Sequence, residues 1–179
     1  MNYSACFNTA NIELGCAASV GGLKKLYVLA GEITGTTYNG DDQLSGAAGT
    51  GVTYTFELQK QTSNLVETFT VSLENGTTFF EQVTTAVFNK IDQDKRNQLK
   101  LLARNRGIVM FVEDNNGTIY YLGGDFDGGF LSAGTGESGT AFGDRNGYSV
   151  SVTTYSEEPM TTLEGTLADV LTGITIAPL

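Results

Sequence analysis

Apolar and polar residues alternate with period two along three stretches of the chain. Val52, Tyr54, Phe56 and Leu58 interleave with Thr53, Thr55, Glu57 and Gln59. Phe69, Val71 and Leu73 interleave with Thr68, Thr70 and Ser72, and Tyr148, Val150 and Val152 with Ser149, Ser151 and Thr153. Successive strand side chains point to opposite faces, so each stretch predicts a strand in a sheet with one apolar and one hydroxyl-rich face. Leu26–Ala30 is an apolar run suited to a buried strand, with Glu32 to Gly35 continuing or bending it. Gln61-Thr62-Ser63-Asn64 has hairpin length and predicts that the flanking strands, 52–60 and 65–74, pair with each other. Ile108–Val112 and Thr118–Leu122 flank Glu113-Asp114-Asn115-Asn116-Gly117, whose Asn-Gly pair predicts a second hairpin. Pro159 in Ser156-Glu157-Glu158-Pro159 ends the last alternating strand, because proline cannot donate to a ladder.

A different period begins after Asn75-Gly76. Phe80, Val83, Val87, Phe88, Ile91, Leu99 and Leu102 fall near 3.6, around a polar stretch from Asp92 to Gln98. Thr78-Phe79-Phe80-Glu81 reads as a capping box, and Asn105 and Gly107 supply a stop. These features predict one long helix at about 78–105. Thr36 to Gly51 has hardly an apolar anchor and reads as a long loop off the sheet, a candidate interaction loop at 36–51. Gly123 to Gly147 is glycine-rich, and Met160 to Leu179 reads as an edge strand or a C-terminal arm. With 179 residues, 40% of them hydrophobic, the chain can bury one sizeable core. The expected fold is therefore one mainly β domain over 1–179. It is either an antiparallel β-barrel or two curved packed sheets, with one long flanking α-helix.

Charge and chemistry narrow the function. There are 20 acidic residues, 10 basic residues and no histidine, for a formal net charge of −10. Such a surface repels phosphate backbones and argues against a conventional nucleic-acid grip. The missing histidine removes the commonest general base and neutral metal ligand, and with it Ser-His-Asp, Cys-His and zinc-His sites. Cys6 and Cys16 match no metal or redox spacing and read as two buried, reduced thiols. Met1–Cys6 has no basic region leading into an apolar stretch, and no segment approaches a membrane span, so cytosolic synthesis and no membrane partner are expected. The sequons Asn75-Gly76-Thr77 and Asn116-Gly117-Thr118 read as turns.

Three motifs carry little chemistry. Gly134-Thr135-Gly136-Glu137-Ser138-Gly139 matches G-x-G-x-x-G, but it leads through Gly143–Gly147 into a strand, not into the helix a dinucleotide site requires. Asp125-Phe126-Asp127-Gly128 holds the first ligands of a calcium loop without a closing glutamate, and reads as a turn. Glu157 with Glu158, and Glu113 with Asp114, are adjacent pairs that point to opposite faces of a strand and do not converge on a substrate. No catalytic residue, cofactor, metal or small-molecule substrate is expected.

Lys90, Lys95, Arg96, Lys100, Arg104 and Arg106 are six of the 10 basic residues. Gathered toward a helix C-terminus they complement its dipole, at roughly 0.3 to 1 kcal/mol for each exposed charge. The alternative is that a basic helix on an acidic protein docks onto an acidic patch of a neighbouring copy. The candidate interface residues are then Lys95, Arg96, Lys100 and Arg104 on one side, and Asp41, Asp42, Glu157 and Glu158 on the other.

Residues 78 to 159, taken in order, carry a family resemblance. The helix leads into Ile108-Val109-Met110-Phe111-Val112-Glu113-Asp114, then Asn116-Gly117 and Tyr120-Tyr121-Leu122-Gly123-Gly124. After the glycine-rich stretch come Gly143-Asp144-Arg145-Asn146-Gly147-Tyr148, an alternating strand and Glu157-Glu158-Pro159. This order resembles virion structural proteins of tailed bacteriophages, in particular tail-tube-like proteins. The resemblance implies homo-oligomeric rings closed by sheet-to-sheet contact and stacked into a tube. The loop at 36–51 would reach the adjacent ring, and other virion proteins would be the remaining partners. DNA would be passing cargo, kept from sticking by acidic residues facing the bore. It implies a virion location in the tail or head-tail region after synthesis in the host cytoplasm. A head-to-tail connector or adapter, a tail terminator and a capsid decoration protein are related roles. A surface module binding an outside partner would instead show exposed aromatic residues in its loops. A small β-rich carboxylate enzyme is the last alternative, and would need several acids converging in a pocket.

Overall fold

A computed structural model describes residues 18–178, so Cys6 and Cys16 lie outside the described residues. The chain is mainly β and forms two packed sheets that do not close into a barrel. Its strands are β1 (Leu23–Tyr38), β2 (Leu44–Glu57), β3 (Asn64–Ser72), β4 (Thr77–Asn89), β5 (Val109–Asp114), β6 (Ile119–Leu122), β7 (Phe130–Glu137), β8 (Gly147–Ser156), β9 (Thr161–Thr162) and β10 (Leu171–Ile176). The helices are α1 (Gln93–Leu102) and the single turn α2 (Leu167–Val170). One sheet has six strands in the order β10-β2-β1-β5-β6-β9, and the other has four in the order β3-β4-β8-β7. All pairings are antiparallel except that of β10 with β2.

Around β5 and the near half of β1 the six-stranded sheet is covered on both faces, whereas residues 30–38 of β1 are largely exposed. Leu26, Met110, Val112 and Leu122 pack against Ala86, Val150 and Val152 of the four-stranded sheet. On the other face Leu29, Phe111 and Tyr121 pack against Leu163, Leu167, Val170 and Ile174 from the end of the chain. Residues 160–178 are thus a covering layer with an edge strand, where the sequence suggested either an edge strand or an arm. The double burial explains why β2 departs from its alternation: Thr53 is fully buried and Tyr54 is about half exposed. Polarity predicts the buried face only where the opposite face meets water.

The predicted helix at 78–105 is a strand over its first half. Thr77–Asn89 is rich in threonine, valine and phenylalanine, residues that lose rotamer freedom in a helix and pack well on a pleated surface. The expected capping box at Thr78 and Glu81 therefore does not form, and Asn75-Gly76 is the turn of the β3–β4 hairpin, with Gly76 at φ 64°. The helix begins at Gln93, after Asp92 accepts a hydrogen bond from the Lys95 backbone N–H at 2.8 Å. Gln61–Asn64 does not join a hairpin either, because β2 and β3 belong to different sheets and the connection crosses between them. The hairpin around Asn116-Gly117 forms as expected, with Val112 opposite Tyr120. Within the glycine-rich stretch, Phe130–Glu137 pairs with β8, so the G-x-G-x-x-G residues lie at the end of a strand.

The predicted loop at 36–51 is the far half of the β1–β2 hairpin, closed by a turn at 39–43. Glycines let this ladder bend. A Cβ on Gly31 would meet the Thr50 carbonyl oxygen at 2.0 Å, and Gly51 sits at φ 123° against the Ala30 carbonyl. The bend carries Leu44 back to the end of the chain, where it bridges Leu163 and its carbonyl accepts from the Glu164 N–H at 2.9 Å. Gly31→Ala and Gly51→Ala should each destabilise the fold by more than ~1 kcal/mol in denaturant unfolding. Gly35→Ala, in the same strand but facing open space, should change it by less than ~0.5 kcal/mol.

Candidate assembly surfaces

Helix α1 joins the end of β4 to the start of β5, and buries Leu99 and Leu102 partly against the core shared by the two sheets. Lys95 is committed locally: its Nζ lies 2.8 Å from Asp92 Oδ2 and donates to the Asn89 carbonyl at 2.9 Å. The hydrogen bond from the Lys95 side chain, then that from its backbone, holds the Asp92 carboxyl below the usual carboxylate range. Lys95 therefore caps and anchors the helix, unlike its expected companions. Arg96 and Lys100 stand one turn apart on the solvent side, and Arg104 comes just past the helix end. None of the three takes part in an ion pair among the described residues. Leu101 beside them is 62% exposed.

The β3–β4 hairpin provides a surface the sequence did not flag. Its register runs without a shift from Asn64 opposite Thr85 to Ser72 opposite Thr77, so Leu65, Glu67, Phe69 and Val71 share a face with Thr84, Gln82, Phe80 and Thr78. Near Leu65 and Ala86 that face is part of the core. Farther out it overhangs, with Phe69 64%, Val71 62% and, at the turn, Leu73 95% exposed. Phe69 and Phe80 meet edge to face with centroids 5.1 Å apart. Alternation marked these residues as one apolar face. It carried no information about whether another sheet reaches them.

A polar clamp marks where the core ends and the overhang begins. Buried Gln82 donates through Nε2 to Ser156 Oγ at 2.6 Å and to Glu67 Oε1 at 3.1 Å, and its Oε1 accepts from Thr154 Oγ1 at 2.9 Å. Glu67 Oε1 also accepts from the Met160 N–H at 2.7 Å, tying the covering segment to the four-stranded sheet.

The acidic candidates gather at the same end. Asp41 and Asp42 occupy the exposed β1–β2 turn, which Asn39 Oδ1 organises by accepting from the Asp41 and Gln43 N–H groups at 2.9 and 3.0 Å. Glu157 and Glu158 come directly after β8 and line a recess of about 270 Å³ with Tyr38, Tyr121, Asp125 and Pro159. Burial, then the nearby Tyr38 and Asp125, push the Tyr121 hydroxyl up to about 12. No group of three His, Cys, Asp or Glu side chains able to hold a metal occurs among the described residues. The recess lies at the Gln82–Ser156 end of the four-stranded sheet, whereas α1 is anchored at Asn89. Gln82 and Phe88 are six residues apart on one strand, a separation of roughly 20 Å. The structure thus keeps the basic candidates apart from Glu157 and Glu158.

No protein-family model matches the chain, and neither does any curated protein.

Glu67→Ala removes the acceptor of the Met160 N–H and one partner of Gln82, and should cost about 1 to 3 kcal/mol in denaturant unfolding. Acid should also weaken the fold. Burial alone would raise the Glu113 carboxyl, but hydrogen bonds from Lys24 at 2.6 Å and Tyr27 at 2.7 Å outweigh it and hold it low. Asp169, through the Thr166 hydroxyl and then its N–H, and Asp144, through the Ala141 and Thr140 N–H groups, are also held low. Their contributions are complete above the unfolded carboxylate value near ~4 and disappear as pH falls through the depressed values. Thermal midpoints monitored by circular dichroism should therefore drop below pH ~4, and less steeply in Glu113→Gln.

Proposed function

We propose that this chain is a self-assembling structural protein of a tailed-phage virion, whose copies close into rings that stack into a DNA-conducting tube. The observation that carries the reading is the four-stranded sheet. It presents its inner face to the core and, among the described residues, leaves β3 and β7 as free edges. β3 runs nine residues without a proline, a lysine or a bulge; its one charge, Glu67, faces inward into the Gln82 clamp, and the β7 edge carries one register shift between Leu131 and Ala133. The two edges differ, so pairing β3 of one copy with β7 of the next is head-to-tail and makes a ring where the rotation closes.

The outer face of that sheet suits a bore. Thr68, Thr70, Thr85, Ser149, Ser151, Thr153 and Thr135 line it beside an aromatic group of Phe79, Tyr155 and Phe130 and the aliphatic Val66 and Val83, with Glu81 and Glu137 as its charges and no lysine or arginine on these strands. Arg145, in the loop before β8, is engaged by Glu137. Thr85 and Ser151 share a hydrogen bond at 3.1 Å, and Thr153 donates to Ser132 at 2.8 Å, so part of the hydroxyl content is satisfied within the sheet. A surface with no free cation on its strands takes up few phosphates and releases few counterions, which leaves DNA free to slide.

A second reading is a surface module that binds an outside partner. Phe126 and Phe142 favour it, being exposed aromatic residues in loops.

Negative-stain electron microscopy of the purified chain, with its mass in solution, separates the two. Rings or tubes of uniform diameter are expected, and Thr68→Lys with Thr70→Lys should abolish them while leaving the monomer folded. A monodisperse monomer at all concentrations would sink the tube reading in favour of the partner-binding module.

A further inference from the structure

The geometry points to a second contact between copies: the exposed face of α1 of one copy seats on the overhanging inner face of the β3–β4 hairpin of another. The inference rests on the self-assembly reading and names a surface distinct from the sheet edges. The receiving face is the exposed Phe69 and Val71 with the half-buried Phe80 beside them and Leu73 at the turn beyond. Contiguous exposed apolar surface of this kind marks an interaction site more often than a free surface. Its rim is acidic. Glu74 lies in the hairpin turn, and Glu157 and Glu158 continue β8 directly after Ser156, the residue opposite Phe80. Between Lys60 and Lys90 the chain holds three glutamates and no cation.

The docking face has the complementary character. Arg96 and Lys100 stand one turn apart on α1 and form one ridge, Arg104 follows just past the Ala103 cap, and the exposed Leu101 borders them. The leucine supplies apolar area to the phenylalanines. Arginine stems cover apolar surface while their heads reach a carboxylate rim, and guanidinium groups stack on aromatic faces. The two faces lie at opposite ends of the four-stranded sheet, so they cannot meet within one copy. A second copy of this chain supplies the match in charge and in apolar area. The contact is head-to-tail and, being separate from β3–β7 pairing, links rings to one another.

Cross-linking with charge reversal tests this. In a background of Cys6→Ser and Cys16→Ser, Leu101→Cys and Val71→Cys are made as separate variants, mixed during assembly and oxidised. A disulfide-linked dimer in the mixture and in neither variant alone is expected. Arg96→Glu with Lys100→Glu should weaken stacking at least about tenfold, leaving rings, and Glu157→Lys with Glu158→Lys in the same chain should restore it. Tubes that assemble without the cross-link, or that stack unchanged after the reversal, would overturn the contact and leave the ring reading intact. Wild-type protein that forms no ring at any concentration would overturn both.

Discussion

β5 holds the two halves of the interior together. Met110 and Val112 point into the core shared with the four-stranded sheet, and Phe111 between them points into the core under the end of the chain. All three are completely buried, as is Ile108 just before them. A strand buried on both faces has no solvent side on which polar residues are tolerated, which is why Ile108–Val112 is an unbroken apolar run. The neighbours share the constraint. Thr53 and Thr84 are buried with their Oγ1 atoms lacking a hydrogen-bond partner, an energetic cost accepted for shape. The chain also has to commit residues 160–178 to covering the second face, because without them Leu29, Phe111 and Tyr121 would lie open to water.

That allocation leaves the four-stranded sheet with open surfaces. Among the described residues the end of the chain is committed to the six-stranded sheet, and the outer face and both edges of the other stay free. Strand lengths create the overhang. β4 has 13 residues and β5 has 6, which correspond to about 43 and 20 Å at ~3.3 Å per residue. β4 therefore projects beyond β5, whose Met110 and Val112 share its core, and the Gln82–Glu67 clamp seals the core at that point. Phe69 and Val71 are exposed because the hairpin outruns the short strands β5 and β6 that share its core.

Much of this was legible in the sequence, and the failures have a shared cause. Alternation located β8 and the apolar face of β3, and Asn116-Gly117 located its hairpin, because these depend on local geometry. Phe80, Val83 and Val87 fit a helical period as well as a strand, and the deciding signal was composition: threonine and phenylalanine up to Asn89, then Asp92 and strong helix formers from Lys95. Thr36 to Gly51 looked like a loop because its apolar anchors are replaced by glycines that let two backbones approach closely and bend. Among the candidate site residues, the exposure of Arg96, Lys100 and Arg104 agreed with their spacing. The local engagement of Lys95 could not be read that way, since it depends on where β4 ends. Whether an apolar face is covered is a property of the opposing sheet, and no window of one strand contains it.

The helix dipole does not account for the basic cluster. Of its six cations only Lys100 lies in the last turn of α1, where a positive charge meets the exposed carbonyls; Lys95 is engaged by Asp92 and Asn89. Arg104 and Arg106 lie beyond the Ala103 cap, and Arg96 stands in the middle of the helix. Dipole compensation falls off within one turn and is worth roughly 0.3 to 1 kcal/mol per exposed charge, so it explains one cation of the six. A ten-residue helix is also marginal by itself, and α1 is held by Leu99 and Leu102, whose packing makes no demand for positive charge on the opposite face. On a chain of net charge −10, Arg96, Lys100 and Arg104, which form no ion pair among the described residues, are the complement that the proposed contact with the acidic end of another copy calls for.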